Sequence, residues 1–391
     1  MTVAPRVEFC GPGPSHRHEP PRAAYVHVPF CARRCGYCDF TVVAGKDHLI
    51  GDYLVALQRE LESLEQPRSV DTLYVGGGTP TLLNTEQLRL LLQILHNWLP
   101  VAAGGEFTVE ANPRGLDQHR LSVLSQFGVN RISLGVQSFV DRELAWLERD
   151  HTVRDLDEVI PLVCQHFDHV SLDLIFASAG QSLADWTHSL QQALQHQVDH
   201  ISTYGLTYEK GTTFWSRLRR GEVQVAPDAL QRELYGQAMD RLALGGLTQY
   251  EISSFARPGC ASRHNQVYWS GGSYWGFGPG AARYVSGWRE TNHRSATTWM
   301  KRILSGASAV ADRECLSTED RARERLALGL RMCRGVCTEE FARDTGCTVT
   351  DLAGAEIEQH IQRGWLEPIE SSIRLTREGR FMADSVIVDM L

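Results

Sequence analysis

Apolar positions along the chain alternate between two periods. Short β-branched and aromatic runs, bounded by Gly, Pro or Asn, are each followed by a longer segment with an apolar residue every third or fourth position. The first run, Ala24-Tyr25-Val26-His27-Val28, stops at Pro29, which cannot donate to a sheet ladder. Residues 47–65 then carry Leu49, Tyr53, Leu54, Leu57, Leu61 and Leu64 at helical spacing. The alternation predicts strands over 72–75, 106–110, 131–135 and 200–204, and another in the stretch "HVSLDLIFASAGQS" at 169–182. It predicts helices over 85–99, 116–127 and 183–196, and one entered near Arg149 that runs through Val163. Each connection is long enough for a parallel crossover. Six strand-then-helix units, not eight, predict an α/β fold: an open, partial (β/α)6 barrel with a lateral mouth.

The pattern changes after residue 206. A helix is expected over 227–245. Residues 250–284 are aromatic-rich, Gly-rich and almost without aliphatics, so they are read as a ligand-lining loop and not a buried element. Gly276-Phe277-Gly278-Pro279-Gly280 opens no strand–helix unit and is no dinucleotide fingerprint. From Ser317 the order becomes helix, short helix, helix, β-hairpin, with Ser317 or Thr318 as N-cap and Glu319 and Asp320 in the first turn. This predicts a smaller α+β domain of winged-helix type. The expected division is a flexible lead-in over 1–21, a barrel with its aromatic loop over 22–290, and a C-terminal domain over 291–391. Cys10, His16 and His18 fall in the lead-in and are read as solvated.

Composition narrows the function classes. The 391 residues are 42% hydrophobic and 22% charged, enough for a sizeable core, with a net charge of −8. No basic stripe or recognition helix suits nucleic acid, and no polybasic run suits anionic lipid. No apolar run approaches a membrane span, and the first residues lack a charged-then-apolar secretory pattern. A cytoplasmic location is expected, which keeps ten cysteines reduced.

The chemistry concentrates in Tyr25–Phe40, "YVHVPFCARRCGYCDF", where Cys31, Cys35 and Cys38 follow the first strand. Three thiolates are a soft set suited to zinc or an iron–sulfur cluster. Structural zinc wants a fourth ligand, and none follows at finger spacing. A disulfide framework is disfavoured, and three unrelated loop cysteines are the plain alternative. A four-iron cube on three cysteines leaves one iron open. Cys-x3-Cys-x2-Cys, with Tyr37 before the third Cys, resembles the signature of radical S-adenosylmethionine (SAM) proteins. The longer string resembles the oxygen-independent coproporphyrinogen III oxidases and their relatives, the HemW-type heme chaperones.

That resemblance implies a [4Fe-4S] cluster whose open iron is chelated by SAM, and reductive cleavage of SAM to methionine and a 5′-deoxyadenosyl radical. It places Tyr25, Tyr37 and the turn Gly77-Gly78-Thr79 around the cofactor, the glycines at its methionyl end. It assigns SAM contacts to Glu110 and Gln137, a carboxylate partner to Arg149 and the ribose hydroxyls to Asp173. Taken singly, the Gly triplet reads as a tight turn and Arg149 as a surface ion pair. "SRHNQVYW" at Ser262–Trp269 resembles a His-Asn-x-x-Tyr-Trp motif linked to heme binding, with His264 as axial ligand; an ordinary hydrogen-bonded histidine is the alternative.

Two departures from the family pattern stand out, and two further features separate the chain from the oxidases. Relatives usually carry Gly-Leu-Pro-Gly where this chain has Ala177-Ser178-Ala179-Gly180, and Gly-Ala-His-Ser where it has Gly280-Ala281-Ala282-Arg283. The oxidases carry a cysteine where this chain has Phe40, and a longer segment before the first strand. The last two features, with "HNQVYW", favour a heme chaperone that binds cluster, SAM and heme and delivers heme to a hemoprotein. Coproporphyrinogen oxidase activity, a decarboxylation in porphyrin biosynthesis, is the alternative and is not expected. The implied partners are heme or a porphyrinogen, an electron donor, a recipient hemoprotein (membrane respiratory proteins included) and a second copy of the chain. Cys315, Cys333, Cys337 and Cys347 fit no usual metal spacing.

Overall fold

The computed structural model describes residues 20–391. The lead-in with Cys10, His16 and His18 lies outside them. Six parallel strands form the centre: β1 (Ala23–Val28), β2 (Val70–Gly77), β3 (Val101–Ala111), β4 (Arg131–Gln137), β5 (His169–Phe176) and β6 (His200–Gly205). They are hydrogen-bonded in chain order. The outer layer is α1 (Ile50–Glu62), α2 (Thr85–Trp98), α3 (Gln118–Gln126), α4 (Asp141–Trp146), α5 (Val153–His166) and α6 (Leu183–Gln195). The helices start where side chains satisfy the first N–H groups. Asn84 with Gln87, Thr152 with Asp155, and Ser182 with Asp185 each form a reciprocal cap. The strands bury apolar residues such as Val26, Leu73, Val109, Ile132, Leu172 and Ile201 against these helices.

The sheet continues beyond the expected six strands. After α7 (Thr213–Arg219) and α8 (Asp228–Leu244), β8 (Ser254–Ala256) extends it antiparallel to β6, and β7 (Thr248–Gln249) pairs antiparallel with β8 at the edge. The chain then crosses through α9 (Arg263–Trp269) to β9 (Trp275–Phe277), which pairs parallel with β1 at the opposite edge. The barrel is therefore open, with both edges covered by one late segment. Residues 250–284 are not a ligand-lining loop throughout: they contain two strands, a helix and the start of a third strand at Ala282, and Phe255, His264 and Phe277 are fully enclosed.

Three further differences concern the site. Gly76 and Gly77 belong to β2, so the turn starts at Gly78. Gln137 is the last residue of β4 and not beyond it, with φ of 70°. Arg149 lies in the link between α4 and α5, because the helix expected from near Arg149 starts only at Val153, where Thr152 caps it.

β10 (Ala282–Val285), β11 (Trp288–Asn292) and β12 (Val310–Cys315) form a small antiparallel sheet, with α10 (Ala296–Leu304) between its last two strands. Trp299, Met300 and Ala309 share the barrel's core, although they lie past residue 290. A second core holds Leu326, Phe341, Leu352, Ile357, Leu366, Leu375 and Val386. Its elements run α11 (Thr318–Gly329), β13 (Val336–Cys337), α12 (Thr338–Thr345), α13 (Val349–Gln362), the hairpin β14 (Leu366–Ile369) and β15 (Ser372–Leu375), α14 (Arg377–Phe381) and α15 (Ala383–Val388). Helix, strand, two helices and hairpin is the winged-helix order.

Candidate cofactor site

The cysteine loop is held at both ends. Phe30–Cys31 pairs in parallel with Val43–Ala44, and the Val43 N–H donates to the Pro29 carbonyl at 2.8 Å. His27 supports it from beneath. Its Nε2 lies 2.7 Å from the Thr41 carbonyl and its Nδ1 2.9 Å from the Tyr25 hydroxyl. A carbonyl only accepts, so Nε2 carries the proton and Tyr25 donates to Nδ1. Burial holds the imidazole neutral, lowering its pKa to about 4. At the loop's centre the Phe214 N–H of α7 donates to the Gly36 carbonyl at 2.8 Å. A Cβ on Gly36 would meet the Phe214 ring at 2.3 Å, so only glycine fits there.

The thiols face a cavity of about 360 Å³ inside the barrel. Cys31 Sγ lies 3.6 Å from Thr79 Oγ1, and Arg149 Nη1 lies 3.6 Å from Cys35 Sγ. Burial pushes the Cys31 thiol up to about 11 and raises that of Cys38.

The strand ends bring polar groups to the same cavity. Gly77, Gly78, Thr79, Glu110, Gln137, Arg149 and Asp173 all line it, with Tyr37 beside the thiols. Glu110 accepts from the Tyr74 hydroxyl and from the Gly77 N–H, both at 2.8 Å. A Cβ on Gly76 would strike the Glu110 carboxyl at 2.6 Å, so that glycine makes room for the carboxylate. Burial raises the Glu110 pKa. Arg149 Nη2 donates to Asn112 Oδ1 at 2.8 Å and to the Gly135 carbonyl at 2.9 Å, reaching the cluster loop with its other nitrogen. Asp173 accepts from Ser133 at 2.9 Å; burial, then Glu110, lifts its carboxyl to about 7.

Two expected site residues lie elsewhere. Tyr25 does not line the cavity; its hydroxyl serves His27 and its ring stacks on Tyr74 at 6.1 Å. His264 is also absent from the lining and is 1% exposed. Its Nδ1 meets Thr72 Oγ1 at 2.9 Å, its Nε2 meets the Tyr268 hydroxyl at 2.8 Å, and its ring stacks on Tyr74 at 5.2 Å. Burial lowers its pKa to about 3, so it is neutral. The histidine expected as an axial ligand thus has both ring nitrogens engaged in hydrogen bonds. α9 acts as the barrel's floor: Glu106 on β3 accepts the Arg263 and His264 N–H groups at 2.9 Å, and Ser262 and Asn265 face the cavity from below. Polar caps from a distant strand let this aliphatic-poor stretch be buried.

Tyr74, Asn112, Ser133 and Phe214 are functional neighbours that the sequence did not single out. Tyr74 carried one readable signal, since it precedes Gly76 by two and so shares a strand face with it.

The donor set fits the implied cofactors. Three thiols converge on one wall, and a guanidinium, a buried carboxylate and hydroxyls on the others. Thr108 Oγ1 and Arg149 Nε are buried without a partner, which a polar ligand in the cavity would correct.

Comparisons with known proteins agree with this geometry. Residues 25–193 match the radical SAM superfamily and 316–382 the HemN C-terminal domain. The chain is similar to heme chaperone HemW of Bacillus subtilis, at 34% identity over 93% of this chain and 98% of that one. It is similar to heme chaperone HemW of Mycobacterium tuberculosis, at 37% over 95% of each. Among solved structures, the radical SAM enzyme coproporphyrinogen III oxidase (HemN) of Escherichia coli shares the fold, with a TM-score of 0.83 at 20% identity over 95% of this chain and 90% of that one. On relatives this similar across nearly their whole length, the chain belongs to the HemW family of the radical SAM superfamily.

Proposed function

We propose that the chain is a heme chaperone that holds a [4Fe-4S] cluster on Cys31, Cys35 and Cys38, binds SAM across the strand ends, and takes up heme for delivery to a hemoprotein. The observation that carries the reading is the convergence of those thiols with Glu110, Gln137, Arg149 and Asp173 on one cavity. When bound, the cluster supplies an electron to the sulfonium of SAM. The chain's own residues position and shield. Arg149 offers a charge for a carboxylate, Asp173 an acceptor for ribose hydroxyls, and Gly76 to Gly78 a surface without side chains. α9 closes the cavity from beneath.

Phe40 separates this reading from the oxidase. It is 63% exposed at the cavity's mouth, where the oxidases carry a cysteine. It gives an apolar contact for a large flat ligand and no thiol for chemistry. Ligation of heme by His264 requires α9 to leave the floor, since neither ring nitrogen is free. No described helix is long and apolar enough to cross a membrane, so delivery to a membrane hemoprotein would proceed by docking.

The test is anaerobic. The reconstituted protein, given coproporphyrinogen III, SAM and reductant, is expected to form no protoporphyrinogen, and heme titration is expected to give a saturable Soret band. Turnover at enzyme-like rates without saturable heme binding would replace this reading with the oxidase.

A further inference from the structure

We propose that His169, Asp199 and Cys260 form a second metal site, for one divalent ion of the zinc class, on the barrel rim opposite the cysteine loop. His169 opens β5, Asp199 immediately precedes β6, and Cys260 lies in the turn that follows β8. β8 runs antiparallel to β6, with Ala256 opposite His200, so all three residues meet at the same edge. Their ligand atoms lie within 4.8 Å of one another, the only described trio of ligating residues so gathered. His169 Nδ1 and Asp199 Oδ2 are 2.6 Å apart. Seven strand steps at about 3.3 Å separate this rim from the cluster end of β5, roughly 20 Å.

The ligands sit on a fixed frame. Asp199 Oδ1 accepts the Val170 N–H at 3.0 Å, leaving Oδ2 for an ion. The Arg257 N–H donates to the Asp199 carbonyl at 2.9 Å, and the Cys260 N–H to the Arg257 carbonyl at 3.0 Å. Arg131 Nη1 donates to the Cys260 carbonyl at 2.9 Å. One imidazole, one carboxylate and one thiolate make the mixed N/O/S set that zinc accepts and magnesium or calcium does not. The fourth position falls to water. On binding, Nδ1 of His169 gives up the proton directed at Asp199 and the Cys260 thiol proton leaves to solvent, so ion binding is coupled to proton release. The ion would staple the turn that leads into α9 to the two last parallel strands, fixing the floor from outside the cavity.

The test uses full-length protein with its iron–sulfur cluster reconstituted, so that iron occupies the first thiols. After incubation with zinc chloride and desalting, metal analysis is expected to find one zinc per chain in wild type. Cys260→Ser and His169→Ala are expected to weaken zinc retention by about tenfold or more, with cluster iron unchanged. Cobalt(II) added to the Cys31→Ser/Cys35→Ser/Cys38→Ser chain should give a thiolate-to-cobalt charge-transfer band that Cys260→Ser removes. Wild type without bound zinc, or equal zinc and cobalt signals after Cys260→Ser, would overturn the proposal. Should His169→Ala fail to fold, the surface substitution Cys260→Ser decides alone.

Discussion

The Phe214 N–H donates to the carbonyl of Gly36, between two of the three cluster-loop cysteines, and the Phe214 ring fills the space where a Cβ of Gly36 would stand. α7 thereby grips the loop from a point far along the chain. Gly36→Ala forces the ring or the loop to move, at a cost of about 1–3 kcal/mol. The expected outcome is lower iron and sulfide per chain after anaerobic reconstitution, with the barrel's circular dichroism retained. Wild-type iron content would remove the proposed constraint.

Glu110 joins Tyr74 to Gly77 through both carboxylate oxygens. In Glu110→Gln one oxygen becomes a donor, so a buried donor loses its acceptor, costing about 1–3 kcal/mol. SAM affinity, read by calorimetry on the reconstituted protein, is expected to fall by about tenfold, the equivalent of 1.4 kcal/mol. Unchanged affinity would place SAM away from Glu110.

Asp173 carries a pH signature. Burial, then Glu110, lifts its carboxyl from 3.8 to about 7, while Ser133, Ser202 and Arg131 pull the other way. The folded chain binds this proton more tightly than the unfolded chain. The contribution is fully present below the unfolded value of 3.8 and is lost as pH rises through about 7. The thermal midpoint of the cofactor-free protein is expected to decline between about pH 4 and 7, and Asp173→Asn to flatten that slope. Parallel slopes would show that Asp173 titrates normally.

His264→Ala removes hydrogen-bond partners from Thr72 and Tyr268 and leaves a void under Tyr74. A loss of about 2–4 kcal/mol is expected in chemical denaturation. His264→Gln, which retains one of the bonds, should recover part of it. A variant as stable as wild type would contradict the floor role of α9.

The legible part of the site was the part written locally. Cys31, Cys35 and Cys38 announce themselves by spacing, Glu110 and Gln137 by position at strand ends, and Asp173 as a carboxylate inside an apolar run, whereas Arg149 stood out only through the family resemblance. What stayed hidden depends on partners far away in sequence. Tyr25 sits in a readable strand, yet its hydroxyl goes to His27 because of how the loop returns at Thr41. His264 was read as exposed because its stretch has few aliphatics. Its burial rests on Glu106, more than 150 residues earlier, which caps the helix it opens. α7 is seven residues long, too short for a period to show, and β9 gives three residues whose pairing with β1 no local pattern encodes. The barrel's six units were visible, and the segment that covers both their edges was not.

That covering segment sets an order of assembly. On the ribosome β1 emerges first, yet its outer neighbour β9 follows only after β6, β8 and α9 have been made. During that interval a nascent chain carries two bare parallel-sheet edges and a barrel without its floor. Such edges invite pairing with other chains. A chain cut after Gly205 should therefore aggregate where one extended past Phe277 does not, and the delay makes this stretch of synthesis the point at which a holding factor gives the most protection.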